Sequence, residues 1–177
     1  MASVEPTAGQ VDTVRERTVS WQDPMTTASI GRTMSGRNFL EAIRDGDIPA
    51  APIATLMGFT IEEVSEGRVV FGCTPDESLY NPIGVVHGGL VCTLADTVIG
   101  CAVHSLLEAG VAYTSIDLTV NYLRPVVADG TKLLAAGTVT KPGRRVAFAT
   151  AEIVDANNKI VATASGSVLI MDARTNA

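Results

Sequence analysis

The sequence is poor in the residues from which metal sites, disulfide frameworks and nucleic-acid surfaces are built. It contains two histidines and three cysteines, and Cys73, Cys92 and Cys101 form no CxxC pair, so the spacing of a zinc site is absent. Charged residues make up 18% of the chain and the net charge is −6, whereas a general nucleic-acid binder needs a basic surface. We therefore expect no metal, no cofactor and no nucleic-acid partner.

Segments that would enter a membrane are also missing. The N-terminus has no apolar core of the kind that defines a secretory signal. The stretch of membrane length, residues 90–107, carries Asp96 inside it, where a charge is costly in lipid. Because an odd set of unpaired thiols is typical of reducing compartments, the sequence predicts a soluble cytoplasmic protein without a membrane partner.

What is present fits one folded domain behind a polar arm. Hydrophobic residues make up 46% of the 177 residues, which is enough for a core without covalent cross-links. Residues 1–35 mix Thr, Ser, Gln and single charges without a sustained period, so we predict an arm that is disordered or packs loosely on a partner. Residues 36–172 are predicted to form the domain, with short helices over 37–45 and 48–57.

Hydrophobic periodicity predicts two strands, one long helix and then four strands. The predicted helix, residues 87–108, is apolar on nearly every face and ends at Gly110, so it should be buried. The strands are expected over 59–64, 68–74, 115–123, 131–140, 145–154 and 159–170. Short connections favour an antiparallel meander. An antiparallel sheet wrapped around a long buried central helix satisfies this pattern, and that architecture is the α+β hotdog fold.

The third predicted strand alternates between apolar and polar residues, which indicates that one of its faces packs on the core. Its apolar face is predicted to consist of Ile116, Leu118, Val120 and Tyr122. A sheet with open edges needs a partner to cover them. We therefore expect a homo-oligomer, either a homodimer or a homotetramer.

The segment NPIGVVHGGLVCTLAD, residues 81–96, holds the residue types that can carry chemistry. Gly88 and Gly89 stand where the long helix begins, so their N–H groups lack partners within the helix and attract negative charge. Asp96 follows about two turns later, with no cation at the neighbouring i±3 or i±4 positions. A carboxylate on an apolar helix is costly unless it is paired, and it can serve as a general base or a nucleophile.

Each of these residues also has a purely structural interpretation, which the sequence leaves open. Asp96 could brace a neighbouring loop, and the glycine pair could form only a tight turn. Asn81 precedes Pro82 and is either a turn residue or an amide donor to a carbonyl, and His87 either starts the helix or polarises that carbonyl. His104, near the end of the helix, and the cysteines are interpreted as packing residues.

The spacing NxxGxxHGG, followed by an Ala-Asp pair, closely resembles the PaaI-type branch of hotdog thioesterases. The segment SIDLTVNYLRP, residues 115–125, is similar to the strand that follows in that family. With the flanking strands the resemblance covers residues 57–170, and the N-terminal arm has no counterpart in it.

The resemblance implies an acyl-CoA thioesterase that releases a free acid and CoA. It implies that Asp96 is the catalytic carboxylate, that Gly88 supplies an oxyanion N–H, and that Ser115 positions the attacking water or the carboxylate. Asn81 is implied to hold the thioester carbonyl, with support from His87. The family's site lies at a dimer interface, so Asp96 of one subunit would face Asn81 and Gly88 of the other.

Gly89, beside the oxyanion glycine, and a group of basic residues are the predicted substrate-binding residues. The basic candidates for the CoA phosphates are Arg124, Lys141, Arg144 and Arg145, because arginine makes bidentate contacts with phosphate. A solvated hairpin tip is the alternative interpretation of these side chains. The wall of the acyl pocket is predicted to include Val85, Leu90 and Leu94, which leaves the acyl group undetermined.

Two other functions are compatible with the sequence. A hydratase or dehydratase acting on acyl thioesters would use a histidine with an acid, whereas here Asp96 stands alone on the helix. A non-catalytic acyl-CoA binding protein would tolerate the loss of Asp96 without losing affinity. The product separates the two enzymes, because hydrolysis frees a thiol and hydration changes a double bond.

Overall fold

The computed structural model describes residues 14–172 as one antiparallel sheet with helices on one side. The helices in this part of the chain are α1 (Pro24–Gly31), α2 (Gly36–Asp45), α3 (Pro52–Met57) and α4 (Gly88–His104). The strands are β1 (Phe59–Ser65), β2 (Arg68–Cys73), β3 (Ala112–Tyr122), β4 (Leu133–Lys141), β5 (Val146–Val154) and β6 (Ile160–Met171). The sheet packs against the long helix α4, which confirms the predicted hotdog fold.

The order of the strands differs from the predicted meander. The six strands follow the order β1-β2-β4-β5-β6-β3, so β3 pairs with β6 rather than with its neighbour in sequence, β4. The connection between β3 and β4, residues 123–132, is too long for a tight hairpin and carries the chain from one edge of the sheet to β2. The meander is confirmed only for β4, β5 and β6, and the meander prediction for β3 is wrong.

Helix α4 lies across the sheet with one face in the core and another face open. Its buried residues are Leu90, Val91, Leu94, Ala95, Val98, Ile99, Gly100, Ala102 and Val103. Asp96 is exposed, and Thr93 and Thr97 are only partly covered. The prediction of burial around the whole circumference is therefore wrong for the single chain. The helix also ends earlier than predicted, at His104 rather than near Gly110, and its 17 residues span about 26 Å.

One glycine of the sheet allows α4 to lie close to β4. A Cβ at Gly137 would stand 2.1 Å from the Val98 carbonyl oxygen and 2.4 Å from its carbon. Any side chain larger than hydrogen at this position would push the helix backbone away from the strand. Gly137 therefore sets the height of α4 above the sheet.

The short N-terminal helices are built from recognisable caps. The Ser35 hydroxyl accepts the Asn38 N–H at the start of α2, and Gly46 and Gly58 end α2 and α3 with positive φ, as left-handed caps do. Part of the predicted arm is ordered as α1, which the sequence analysis did not anticipate because its apolar residues show no helical period. Residues 1–13 of that arm lie outside the described residues.

A β-bulge divides β3 into two halves of different side-chain phase. The pairing with β6 runs Ser115↔Val168 and then Asp117↔Ser167, so Ile116 has no partner of its own. Tyr113 lies on the core side before the bulge, and Leu118 and Val120 lie on the core side after it. Ile116 is 54% exposed, so the prediction that it shares a face with Leu118 is wrong.

The cysteines and the apolar helix match their predicted packing roles only in part. Cys73 is buried, whereas Cys92 and Cys101 are partly accessible, and all three are free thiols. Across residues 14–172 no helix has the length and apolar character needed to cross a membrane.

Candidate functional site

Asp96 and Ser115 meet on the open face of α4. The Ser115 hydroxyl donates to Asp96 Oδ1 at 2.7 Å, although the two residues come from different elements, α4 and β3. The bulge at residue 116 makes this contact possible, because it keeps Ser115 on the helix side while Leu118 also faces the core. The side-chain pair that the sequence resemblance implied is therefore brought together, with the carboxylate exposed in the single chain.

The start of α4 carries the glycine pair and its cap. His87 is the N-cap residue, and its Nδ1 accepts the Gly89 N–H at 2.8 Å. No acceptor among residues 14–172 contacts the Gly88 N–H, which leaves this donor available at the positive end of the helix dipole. The two glycines therefore differ, because the Gly89 N–H is bonded to the N-cap residue and the Gly88 N–H is not.

Tyr122 is a site residue that the sequence analysis placed only as an apolar strand residue. Its hydroxyl donates to the Gly88 carbonyl oxygen at 3.1 Å, and its ring would lie 3.2 Å from a Cβ at Gly88. The ring therefore packs on the first turn of α4, and a side chain at residue 88 would require it to move by a few tenths of an ångström. The predicted inward position of Tyr122 on its strand was the available signal, but its contact with Gly88 depends on the bulge.

Asn81 organises the loop before α4. Its Oδ1 accepts the Ile83 N–H at 3.1 Å and the Val85 N–H at 3.3 Å, in the manner of an Asx turn. Its side-chain NH2 group donates to none of residues 14–172, so it is available as a hydrogen-bond donor. The two interpretations of Asn81, turn residue and amide donor, are therefore compatible in one side chain.

The two halves of the predicted site are far apart within one chain. Gly88 and Asp96 are eight residues apart on α4, which corresponds to about 12 Å along the helix axis. A single thioester carbonyl cannot contact an N–H and a carboxylate at that separation. Within residues 14–172, one chain thus presents an unpaired N–H at Gly88 and, further along the helix, a carboxylate bonded to Ser115.

The basic residues divide between the two ends of α4. Arg124 lines a groove of about 300 Å³ together with Gly88 and Tyr122, and its guanidinium donates to the Ile160 carbonyl oxygen. Arg144 and Arg145 are exposed on the β4–β5 hairpin, whose strands end beside Ser105 and Gly67 at the other end of the helix. Only Arg124 therefore lies beside Gly88 in the same chain.

Two of the three residues predicted for the wall of the acyl pocket are buried in the single chain. Leu90 and Leu94 are 3% and 0% exposed and belong to the core between α4 and the sheet. Neither lines the groove beside Gly88. Val85 is partly exposed and stays a prediction.

Burial and the Asp96 charge set the ionisation of the groups that follow Asp96 on the open face. Burial, with a smaller contribution from the nearby Asp96 carboxylate, raises the pKa of Cys101 to about 12. Burial, with the charges at Cys101 and Asp96, also raises the pKa of Tyr113, whereas burial lowers the pKa of His104. These groups are therefore neutral near pH 7. Within residues 14–172 no cluster of three or more His, Cys, Asp or Glu could hold a metal ion.

Comparison with known proteins gives one consistent family. The model of the thioesterase superfamily matches residues 83–162. A putative esterase of Halobacterium salinarum is 36% identical over 126 residues, which cover 65% of this chain and 82% of that protein. The acyl-coenzyme A thioesterase PaaI of Escherichia coli is 32% identical over 113 residues, which cover 64% of this chain and 78% of that protein.

A solved structure agrees with these relatives. The structure of the E. coli PaaI protein from the phenylacetic acid degradation operon superposes with a TM-score of 0.68 at 27% identity, over 78% of this chain and 96% of its own. The superposition thus extends the likeness from the matched segment to nearly all of that protein's fold. The chain therefore belongs to the PaaI-type branch of the hotdog thioesterases, a family of thioester hydrolases.

Proposed function

We propose that this protein is an acyl-CoA thioesterase in which Asp96 is the catalytic carboxylate and the Gly88 N–H is the oxyanion donor. The observation that carries the proposal is the hydrogen bond from Ser115 to Asp96 on the open face of α4. Asp96 is held by a hydroxyl on the open face of a mostly apolar helix, and it forms no ion pair with any of residues 14–172. Its carboxylate is therefore available for chemistry. The name of the E. coli relative, acyl-coenzyme A thioesterase, supports the choice of substrate.

In the first route Asp96 acts as a general base. It takes a proton from water as the water oxygen attacks the thioester carbonyl carbon, and the carbonyl oxygen becomes an oxyanion bound by the Gly88 N–H. Collapse of this intermediate breaks the C–S bond, and protonated Asp96 returns the proton to the sulfur, so that CoA leaves as the thiol and Asp96 is again a carboxylate. General base help contributes about 10² to 10⁴ in rate and one oxyanion donor about 10² to 10³.

In the second route Asp96 is the nucleophile. Its carboxylate oxygen attacks the carbonyl carbon and displaces CoA thiolate, which leaves an acyl-aspartyl anhydride. Water then hydrolyses the anhydride, so the acid is released and the carboxylate is restored. Ser115 serves both routes, because its hydroxyl holds the carboxylate in one orientation.

The proposed site needs two copies of the chain. Since Gly88 and Asp96 of one chain are separated by about 12 Å along α4, an antiparallel second copy would bring its Gly88 and Asn81 towards Asp96 of the first. The free NH2 of Asn81 would then donate to the thioester carbonyl, with His87 holding the start of the helix. Gly89 would support substrate binding through its place in the same turn.

The outer edge of β3 is the surface we propose for this pairing. β3 has 11 residues, pairs among the strands of residues 14–172 with β6 alone, and leaves Tyr122 half exposed at its end. A long unpaired edge strand pairs readily with another strand. An antiparallel pair of β3 strands would continue the sheet across a homodimer, which could assemble further into a homotetramer.

The CoA portion would be held by basic side chains around the same groove. Arg124 is the first candidate, because it lies with Gly88 along one groove. Arg144 and Arg145 lie at the far end of α4 in their own chain, so in the antiparallel dimer they would approach the Gly88 end of the other copy. We further propose that residues 36–172 form the single catalytic domain, with residues 1–35 as its N-terminal arm, and that it works in the cytoplasm.

Release of CoA thiol by the wild type and by Asp96→Asn tests the proposal. With a panel of acyl-CoA esters, we expect kcat of the Asn variant to be about 10²- to 10⁴-fold lower than that of the wild type. The reason is that the amide can neither accept the proton from water nor attack the carbonyl carbon. Asp117→Asn is the matched control. Asp117 lies on the same strand as Ser115 but bonds to Ser167, so this variant should keep its rate.

The same panel separates the other functions. If the wild type binds acyl-CoA esters and releases no thiol, the protein is a binding protein and the hydrolase proposal is wrong. If the double-bond absorbance of an enoyl-CoA changes without thiol release, the reaction is hydration. If Asp96→Asn keeps the wild-type rate while remaining folded, the role of Asp96 is wrong.

A further inference from the structure

A large apolar cavity lies between the N-terminal helices and the C-terminal half of α4. Its volume is about 620 Å³, which is in the range of pockets that enclose small-molecule ligands. Helices α1, α2 and α3 form its outer walls, and β1 and the start of β3 form the rest. Phe39, Ile43 and Ile53 line it. Ile53 belongs to α3, and its side chain is 45% exposed. An accessible apolar surface of this kind is typical of a ligand-binding groove.

The cavity begins beside the proposed catalytic carboxylate. Thr97 and Cys101, one and five residues after Asp96 on α4, line it, and so does Tyr113, two residues before Ser115. The Tyr113 ring lies against Gly100, where a Cβ would be 3.1 Å from the ring edge. The open face of α4 therefore leads from Asp96 directly into the cavity.

Helix α1 closes the cavity with one face. Its lining residues, Pro24, Thr27, Ala28 and Gly31, have the spacing i, i+3, i+4, i+7 of a single helix stripe. Gly31 lies near the Phe39 ring, and that ring packs in a tilted arrangement against His104 at the end of α4, with centroids 5.7 Å apart. From Asp96 to His104 the helix advances about 12 Å, so α1 lies by the end of α4 that is remote from Asp96.

We propose that this cavity receives the acyl group of the substrate and that α1 forms its end wall, so the enzyme prefers medium-chain apolar acyl groups. This inference rests on the proposed function, which supplies the acyl-CoA substrate. It concerns the end wall formed by α1, which is remote from the proposed catalytic carboxylate. An acetyl or butanoyl group ends long before α1, whereas a decanoyl chain extends along the open face of α4 towards it. Arg32 and Arg44 are the charged residues of the lining, which is otherwise mostly apolar and suits an apolar acyl group.

The test narrows the end wall without touching the carboxylate. Ala28→Trp adds a large side chain to the cavity from an exposed helix position, so folding should be unaffected. We expect kcat/KM for decanoyl-CoA to fall about tenfold or more, while kcat/KM for butanoyl-CoA stays within about twofold. Thr26→Trp places the same side chain on the same helix but outside the lining face, and it should change neither value.

A second variant and a binding measurement test the cavity without relying on turnover or on a single substitution. Ile53→Trp narrows the cavity from α3 and should give the same chain-length effect. In an Asp96→Asn background, calorimetry should show that Ala28→Trp weakens binding of decanoyl-CoA about tenfold. A weakened affinity in this background, together with a wild type that releases no thiol from any ester, would support the cavity and refute the hydrolase proposal. An unchanged affinity and an unchanged chain-length profile, or a wild type that prefers butanoyl-CoA, would overturn the cavity assignment.

Discussion

At the scale of the residue, one hydroxyl decides how the carboxylate of Asp96 is held. Ser115 donates to one oxygen of Asp96 and leaves the other free, so a single rotamer of the aspartate is favoured. A hydrogen bond to a charged group contributes about 1.5 to 3 kcal/mol. Ser115 is therefore a positioning residue, whose effect should appear in turnover more than in binding.

Replacing this hydroxyl gives a graded prediction. Ser115→Ala should lower kcat for acyl-CoA hydrolysis by roughly tenfold to a hundredfold with little change in KM, because the substrate contacts remain. Ser115→Thr keeps the hydroxyl and should recover most of the rate. Steady-state kinetics of both variants check this, and an Ala variant with wild-type kcat would contradict it.

The residue scale also shows how far the sequence could reach. The motif identified Asp96, Gly88 and Asn81 as candidates, and the structure places Asn81 and Gly88 at the start of α4 and Asp96, bonded to Ser115, further along it. The contact of Tyr122 with Gly88 was not predicted, because a strand pattern indicates which face a ring occupies but not which carbonyl oxygen its hydroxyl bonds to. Contacts between elements depend on their relative height and rotation, which local pattern does not encode.

At the scale of the element, the position of α4 on the sheet depends on the absence of a side chain at Gly137. The Val98 carbonyl oxygen occupies the space that a methyl group would need. Gly137→Ala should therefore reduce the free energy of unfolding by about 1 to 3 kcal/mol, since the helix must move away from β4. Urea unfolding followed by circular dichroism measures this.

A second glycine provides the comparison for that variant. At Gly31 an added Cβ would meet only side-chain atoms of Phe39, at 3.0 Å or more, and the residue lies in the exposed helix α1. Gly31→Ala should thus be close to neutral or slightly stabilising, as alanine is the better helix former. Equal stability of the two variants would refute the close approach at Gly137.

The elements themselves were predictable to different degrees. The strands and the start of α4 follow from alternation and from the glycine pair, and they fall where expected. The pairing of β3 with β6 does not follow, because it depends on a crossover of residues 123–132 that no local signal directs. Likewise α1 has no apolar period, since its inward face is made of Thr27, Ala28 and Gly31 rather than large hydrophobic residues.

At the scale of the whole molecule, the proposed site is shared between two chains, and this can be tested by complementation. Asp96→Asn removes the carboxylate from one half, and Asn81→Asp removes the amide donor from the other while keeping the loop acceptor. Each variant alone should be inactive. Co-expression of the two should restore about a quarter of wild-type activity, because half of the dimers are mixed and each mixed dimer has one intact site.

The outcome separates the two architectures cleanly. If each site were built within one chain, every chain in the mixture would carry a damaged site and no activity would return. A co-expressed wild-type chain with Asp96→Asn serves as the reference for subunit mixing. Mass spectrometry of the purified mixture verifies that mixed dimers are present.

The extra residue at position 116 gives the two halves of β3 opposite side-chain phases. Odd-numbered residues before it, such as Tyr113 and Ser115, and even-numbered residues after it, such as Leu118 and Val120, therefore face the same helix side of the sheet. A strand without this residue would turn either the Ser115 half or the Leu118 half to the outer face. The contact with Asp96 and the packing of the core thus depend on the same single insertion.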